Sequence, residues 1–592
     1  MRITNYIPAE IRQNARLQSK IFKAIIALGV LLIIGLDSSS RVQAQPSGML
    51  QLNDSIHEFL LRQHTLGNLS GAHLTSLPLS APEAIKYLQI LEKNIKDLSQ
   101  FDQHSLERHL GTIYGPGALK ANAAINDVYT NGNDVFSIRD GGFSMAINPL
   151  AHLSIGRARR NVFEGDSRDF TTWANSRGVR FSGTLGKYMF FESRIQEVQE
   201  TVINPELIEF GTYPRQRIVT YKPATKVQSD SSVSHTSRKN VLDYGPATGV
   251  VGLRTHNFEF RMGRDKNRWG HGMNSLILSN YATSYDQLQL RISAWRLQYI
   301  YLFASMNDRN ERSQADGIVA EKYAVFHKLA VNVTNDTEIE VFGAIIVSED
   351  SLSSIGLGLG LFNPILNLRQ IEKDYSRLGN KIVGAGVSHR FNRGIMSYGQ
   401  IILDEFVRSQ IFKRNGFWAN KWGAVWGVHL ADLPIRNTDI RLEYSTVRPY
   451  TYSHEQSQTS FIHYNDPLGH QAGANFRSLD IFVSWSATQK LNWRGHISFS
   501  ETGVNSETEN FGSDPRLSYE TRVADLGIKT LQGVSESRTN VESFISFELL
   551  PKLFLEAAVF YQSVAHEIDG NESLFHSSVG LRWGLPIQYR SF

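Results

Sequence analysis

Cysteine is absent from this chain of 592 residues. That excludes structural disulfides, thiolate metal sites and a lipid-modified N-terminal cysteine. Long apolar runs are also missing. Residues 24–36 form an uncharged apolar stretch of 13 residues, short of the roughly 20 that a bilayer-spanning helix needs, and no later run is longer. No excess of one charge sign remains once the first 44 residues are set aside. The net charge is +4, and Arg2, Arg12, Arg16, Lys20, Lys23 and Arg41 against Glu10 and Asp37 account for all of it. The rest is formally neutral, so nucleic-acid binding loses its electrostatic support. Enzyme signatures are lacking as well. His57-Glu58 and His566-Glu567 have no second histidine at HExxH spacing, and no GxSxG elbow occurs. Among 18 histidines, His454, His463 and His470 share one stretch, but spacing alone does not make a metal site. No cofactor is implied.

What is present begins with an export pattern. Arg12, Arg16, Lys20 and Lys23 precede the apolar run, and Val42-Gln43-Ala44 offers cleavage before Gln45, so 1–44 reads as a signal peptide. Residues 45–130 read as a periplasmic helical hairpin, beneath a barrel or partly plugging it. Asp54 can cap a helix carrying Ile56, Phe59 and Leu60 that stops near Gly67. Ser80-Ala-Pro-Glu83 has the form of a capping box with proline in the first turn. Ala84, Leu88, Leu91, Ile95 and Leu98 then make one helical stripe, whose plain reading is packing.

From about Val135 the period changes from helical to two, which predicts strands with one face toward apolar surroundings. Val179 to Leu185 turns at Gly186-Lys187 and returns to Val198. Ile382 to Phe391 meets Ile395 to Leu403 through Asn392-Arg393-Gly394, and Phe544 to Leu549 turns at Leu550-Pro551-Lys552. Val579, Leu581, Trp583, Leu585, Ile587 and Tyr589 alternate up to the terminal Phe592, as in the closing strand that the barrel assembly machinery reads. Short turns alternate with long polar connections, the asymmetry of an outer-membrane barrel. A mean hydropathy of −0.26 and aromatics at 11% fit such a barrel, although composition alone also fits a secreted β-sandwich. The expectation is therefore an all-β transmembrane protein, with a large antiparallel outer-membrane β-barrel over 131–592. It has 16 to 20 strands, taken as 18, and outer-membrane lipid is its solvent. A lumen that wide is either plugged or conducting.

Three segments concentrate charge and aromatics. They are 263–290, opening GRDKNRWGHG; 362–380, leading into YGQIILDEF at 398–406; and RPYTYSH at 448–454 with HYNDPLGHQAGANF at 463–476. In these motifs and their order the chain resembles the Wzi-type capsule assembly family and its RemB-like gliding-motility relatives. The resemblance implies an 18-stranded outer-membrane barrel with a periplasmic helical bundle, which holds extracellular polysaccharide and catalyses nothing.

Read from the residues themselves, Arg264, Lys266, Arg268 and Arg448 can donate charge-assisted bonds to acidic sugars. Trp269, Tyr450, Tyr452 and Tyr464 offer flat faces to sugar rings, with His454 beside them. The same residues equally suit a network that pins loops inside a lumen. Surface organisation of exopolysaccharide, in support of gliding or adhesion, is the favoured function. A passive channel and an outer-membrane hydrolase are the alternatives.

Overall fold

The computed structural model describes residues 50–114, 128–130, 133–161, 167–203, 218–222, 241–308, 320–349, 379–405, 408–411 and 413–586. The export signal, the glycine–leucine run at 356–361, most of 362–380 and the terminal residues 587–592 lie outside the described residues.

Eighteen antiparallel strands close into one barrel. The first six are β1 (Phe143–Asn161), β2 (Ser167–Leu185), β3 (Met189–Thr201), β4 (Ala247–Arg254), β5 (Phe258–Asp265) and β6 (Tyr285–Ala294). The next six are β7 (Leu297–Asp308), β8 (Ala320–Asn332), β9 (Thr337–Ser348), β10 (Gly379–Asn392), β11 (Ile395–Asp404) and β12 (Trp422–Ala431). The last six are β13 (Thr438–Val447), β14 (Phe476–Ser486), β15 (Leu491–Val504), β16 (Val534–Leu550), β17 (Leu553–His566) and β18 (Gly570–Trp583). β18 pairs back onto β1, with Val579 opposite Ile155, so no wall edge is left open.

The hairpins follow the turn chemistry of the sequence. Gly394 has φ +85°, and a Cβ there would lie 2.5 Å from the Ala431 carbonyl, which explains glycine in that turn. The closing strand ends earlier than the alternation suggests. It stops at Trp583, and Leu585 turns back so that its carbonyl accepts from Arg582.

Alternation sorts the wall into two faces. On β1, Phe143, Met145, Ile147, Pro149, Ala151, Leu153 and Ile155 face outward without interruption, followed by Arg157 and Arg159. Seven positions at ~3.3 Å per residue and a tilt near 40° span about 30 Å, close to the height of an apolar belt. On β5 the outward row is only Phe258, Phe260 and Met262 before Arg264, and on β6 Ala294, Ile292, Leu290 and Leu288 before Asp286. Arg264 and Asp286 lie 3.6 Å apart on this outer surface.

Among the described residues three helices precede the barrel: α1 (Ser55–Thr65), α2 (Ala81–Lys93) and α3 (Gln100–Tyr114). Asp54 caps α1 by accepting from the Ile56 N–H. The second stripe is broken after Lys93 and a separate helix follows, because Ser99 accepts from the Asp102 N–H and starts α3. The Ser80/Glu83 pair does not form the expected box. Ser80 makes no side-chain cap and instead accepts from Arg254 on the wall, and Glu83 pairs with Arg291 at 2.5 Å. Both residues dock α2 to the barrel.

Val579 sits on the lipid-facing row of β18, 55% exposed and four residues from Trp583. Val579→Arg should lower the unfolding free energy by about 2–4 kcal/mol in urea titrations of liposome-inserted protein. Arginine at Ser573, beyond the apolar row, should change it little.

Candidate functional site

The lumen is filled from both ends of the chain's wall. Residues 66–80 run in from the helices, and the connection between β5 and β6 folds in to meet them. There Ser76–Leu77 pairs with Arg268–Trp269 as a two-strand clasp. The Gly270 N–H donates to the Thr75 carbonyl at 2.8 Å, and the Trp269 N–H to the Leu278 carbonyl at 3.0 Å. Adjacent residues of an extended segment point oppositely. Trp269 therefore points into a packed half of the lumen, and Arg268 into an open half.

The packed half is apolar. Trp269, 1% exposed, meets Phe326 edge-on at 6.0 Å within a cluster that includes Ile300, Leu302, Phe342 and Ile346 of the inner wall. Lys328, fully buried, lies over the Trp269 ring and pairs with Glu340 at 2.5 Å, while donating to the Thr75 carbonyl at 2.6 Å.

The sequence motifs converge here. Gln400, from the Y-G-Q segment, donates to the Trp269 carbonyl at 3.0 Å and accepts from the Leu276 N–H. Asp404, from the same segment, accepts from the Tyr452 N–H at 2.6 Å, and the Tyr452 hydroxyl donates to the Leu276 carbonyl at 2.9 Å. Residues far apart in sequence are thus one hydrogen-bonded plug.

This convergence sorts the candidates. Trp269, Tyr450 and Tyr452 are nearly fully buried. Tyr450 donates to the Asn510 carbonyl, and Tyr452 stacks on Phe461 at 5.6 Å. His454 bonds Thr459, and burial pulls its pKa down to about 4. Arg448 donates to the Ile528 carbonyl, and Tyr464 is tied through its N–H to Asn307 at the end of β7. Arg264 faces outward. Lys266 and Arg268 are the two that line the open half of the lumen.

That open half holds a cavity of about 390 Å³ between the plug, β3–β5 and β13–β16. Amides (Gln51, Asn53, Gln196, Gln471) and apolar surface (Leu52, Leu77, Val198, Phe482) share its lining. Arg194, Lys266, Arg268 and Arg441 supply positive charge, and Glu58 and Asp480 are among the carboxylates. Lys266 donates to the Asn280 carbonyl at 3.1 Å, and burial lowers its pKa to about 8. Sequence reasoning missed Arg194 and Arg441. They are inward members of alternating strands, so the row opposite Leu442 and Tyr444 was the available signal.

Ion pairs fasten the helices to the short-turn end of the barrel. Arg62 reaches Asp432 at 2.5 Å, and Asp102 and Asp439 each at 3.2 Å. Glu58 pairs with Arg494 at 2.8 Å, Arg108 with Glu548 at 2.8 Å, and His73 with Glu338 at 2.6 Å. His57, also on α1, accepts from the Leu79 N–H, and burial followed by the nearby Arg268 lowers its pKa to about 3. Among the described residues no group of three or more His, Asp or Glu side chains suits a metal ion.

A solved structure of similar architecture is Wzi of Escherichia coli, an outer-membrane protein of group 1 capsule assembly described as a carbohydrate-binding β-barrel. The match covers 92% of this chain and 100% of that one, at 12% identity and a TM-score of 0.52. The fold is that of the outer-membrane β-barrels. Pseudomonas aeruginosa OprD (11% identity, 74% of this chain and 94% of that chain, TM-score 0.40) and OpdK (10%, 73% and 98%, 0.40) are also similar. No protein-family model and no curated protein matches the chain.

Arg62→Ala leaves Asp102, 2% exposed, without its cation, a loss of about 3–5 kcal/mol. Faster proteolysis within 55–114 in detergent is the expected readout. The histidines give a pH dependence. His57 and His109 are both lowered to about 3 by burial first, so between pH 6.5 and 3 the unfolded segment binds protons that the folded one does not. Helix stability is therefore complete above pH 6.5 and falls on acidification, by about 2 kcal/mol per histidine at pH 5. Hydrogen exchange across α1 should accelerate from pH 7 to 5 after correction for intrinsic rates, and His57→Gln should flatten that profile.

Proposed function

We propose that this protein is exported and assembled into the outer membrane of a Gram-negative cell. There it holds or organises extracellular polysaccharide at the surface, in support of capsule retention, gliding or adhesion. Its N-terminal signal would direct export, the barrel assembly machinery would insert it, and the helices over 45–130 would face the periplasm. The observation that carries the reading is the cavity beside the plug. At about 390 Å³ it falls in the size range of small-ligand sites. It sets carboxamides, able to donate and accept at once, beside aliphatic and aromatic surface. Vicinal hydroxyls and the C–H faces of a sugar ring call for that combination. Likeness to a carbohydrate-binding barrel is in keeping with it. No residue is assigned a catalytic role.

The open half of the lumen also supports the channel reading, and conductance separates the two. Purified protein in planar bilayers should give no large steady current, and a glycan array should retain specific glycans. Gln471→Ala, which removes a lining amide, should reduce polysaccharide retention on cells several-fold while heat-modifiability of the barrel is kept. Large steady conductance with an empty array would replace this reading by a porin.

A further inference from the structure

Among the described residues, two guanidinium groups in the cavity have no paired counter-ion. Arg268 and Arg441 both line it. Neither makes a hydrogen bond or ion pair among the described residues, and the Nε of each is sealed from solvent without a partner. Arg441 is 6% exposed, and its guanidinium lies 5.8 Å from the centroid of the Phe482 ring, an apolar floor rather than an anion. The backbone of Arg268 is paired with Leu77 in the clasp, which sets its side chain on the side opposite Trp269.

The carboxylates close by are engaged elsewhere. Glu58 takes Arg494 at 2.8 Å. Glu443 accepts from the Met273 and Asn274 N–H groups, each at 2.8 Å, and from the Tyr398 hydroxyl at 2.9 Å. Asp480 is held by His496 at 3.1 Å and Asn274 at 3.3 Å. Burial, followed by the positive field of Arg441, pulls Arg268 down to about 10. Two buried like charges without an anion between them are destabilising unless something supplies one.

We infer that Arg268 and Arg441 together form a subsite for the carboxylate of a sugar acid within the bound glycan, an inference that rests on the polysaccharide reading above. Guanidinium groups match a planar carboxylate in paired hydrogen bonds. A monoanion fits better than a phosphate dianion, because Glu443 and Asp480 stand on the same stretch of wall. The neighbouring amides supply what the hydroxyls of the same sugar ring require. The Asn53 and Gln51 NH₂ groups carry no bond among the described residues, while their oxygens accept from Asn280 and Arg194.

The test uses the full chain in detergent, titrated calorimetrically with glucuronate and galacturonate, with glucose and galactose as uncharged counterparts and with sodium sulfate as a bare anion. At least one uronate should bind ten-fold or more tighter than its neutral counterpart, and tighter than sulfate. Raising NaCl from 50 to 500 mM should weaken it. Arg268→Gln and Arg441→Gln should each abolish the preference for the uronate over its neutral counterpart and keep or raise the thermal midpoint, since each removes an uncompensated charge. Were these arginines structural supports, the midpoint would fall. Equal affinity for uronate and neutral sugar sinks the anion subsite and leaves glycan binding standing. Sulfate binding as tightly as uronate means a bare anion site and overturns the sugar-acid assignment. Binding of none of the sugars overturns both readings.

Discussion

The lumen is organised by two short backbone pairings, Ser76 with Trp269 and Leu77 with Arg268. They join an element that enters from the helices to one that folds in from the wall, so neither can settle without the other. Because the joined segment is extended, its side chains divide into two sets. One set, led by Trp269, meets the apolar interior of β7–β9. The other, led by Arg268, is turned toward solvent-sized space. Filled and unfilled halves of the same cylinder thus follow from a single strand register.

The Trp269 side of the plug is seated on the apolar inner wall, and the segment that enters from the helices is docked by charge-assisted contacts. Arg62, Glu58, Glu83, Arg108 and His73 each find an opposite partner on or beside the wall. Such buried pairs gain little net stability against an apolar alternative, but they penalise any arrangement that separates them. Their effect is on position: the helices can dock in one orientation, and the cavity inherits its shape from it. The apolar core formed by Leu60, Leu88, Leu91 and Leu106 holds the helices to one another.

Much of the wall was legible because period-two alternation and turn residues report directly on a sheet between lipid and lumen. The turns at Asn392-Arg393-Gly394 and Leu550-Pro551-Lys552 stand where their chemistry places them. The same rule carries Arg264 outward, since counting by twos from Phe258 reaches it. The interior was harder to read. Ser80 and Glu83 have the spacing of a helix cap whether they cap or bind a wall arginine, and only the tertiary partner decides. Tyr450 and Tyr452, flanked by polar loop residues, look alike whether they stack on a ligand or on Phe461. Arg441 passed unnoticed because an inward arginine on a barrel strand is ordinary until its missing counter-ion is seen.

The unequal outward rows have a further consequence for the surrounding membrane. On one side of the cylinder seven apolar positions meet the hydrocarbon, and on the flank carrying the Arg264–Asp286 pair three on β5 and four on β6 do, about 30 Å against about 10–15 Å of strand height. Lipid must match both at once, and mismatch costs a fraction of a kcal/mol per Å. The annulus is therefore pinched on the β5–β6 flank and full on the β1 flank. Its gradient gives an otherwise rotationally featureless cylinder a preferred side toward which short or disordered acyl chains gather.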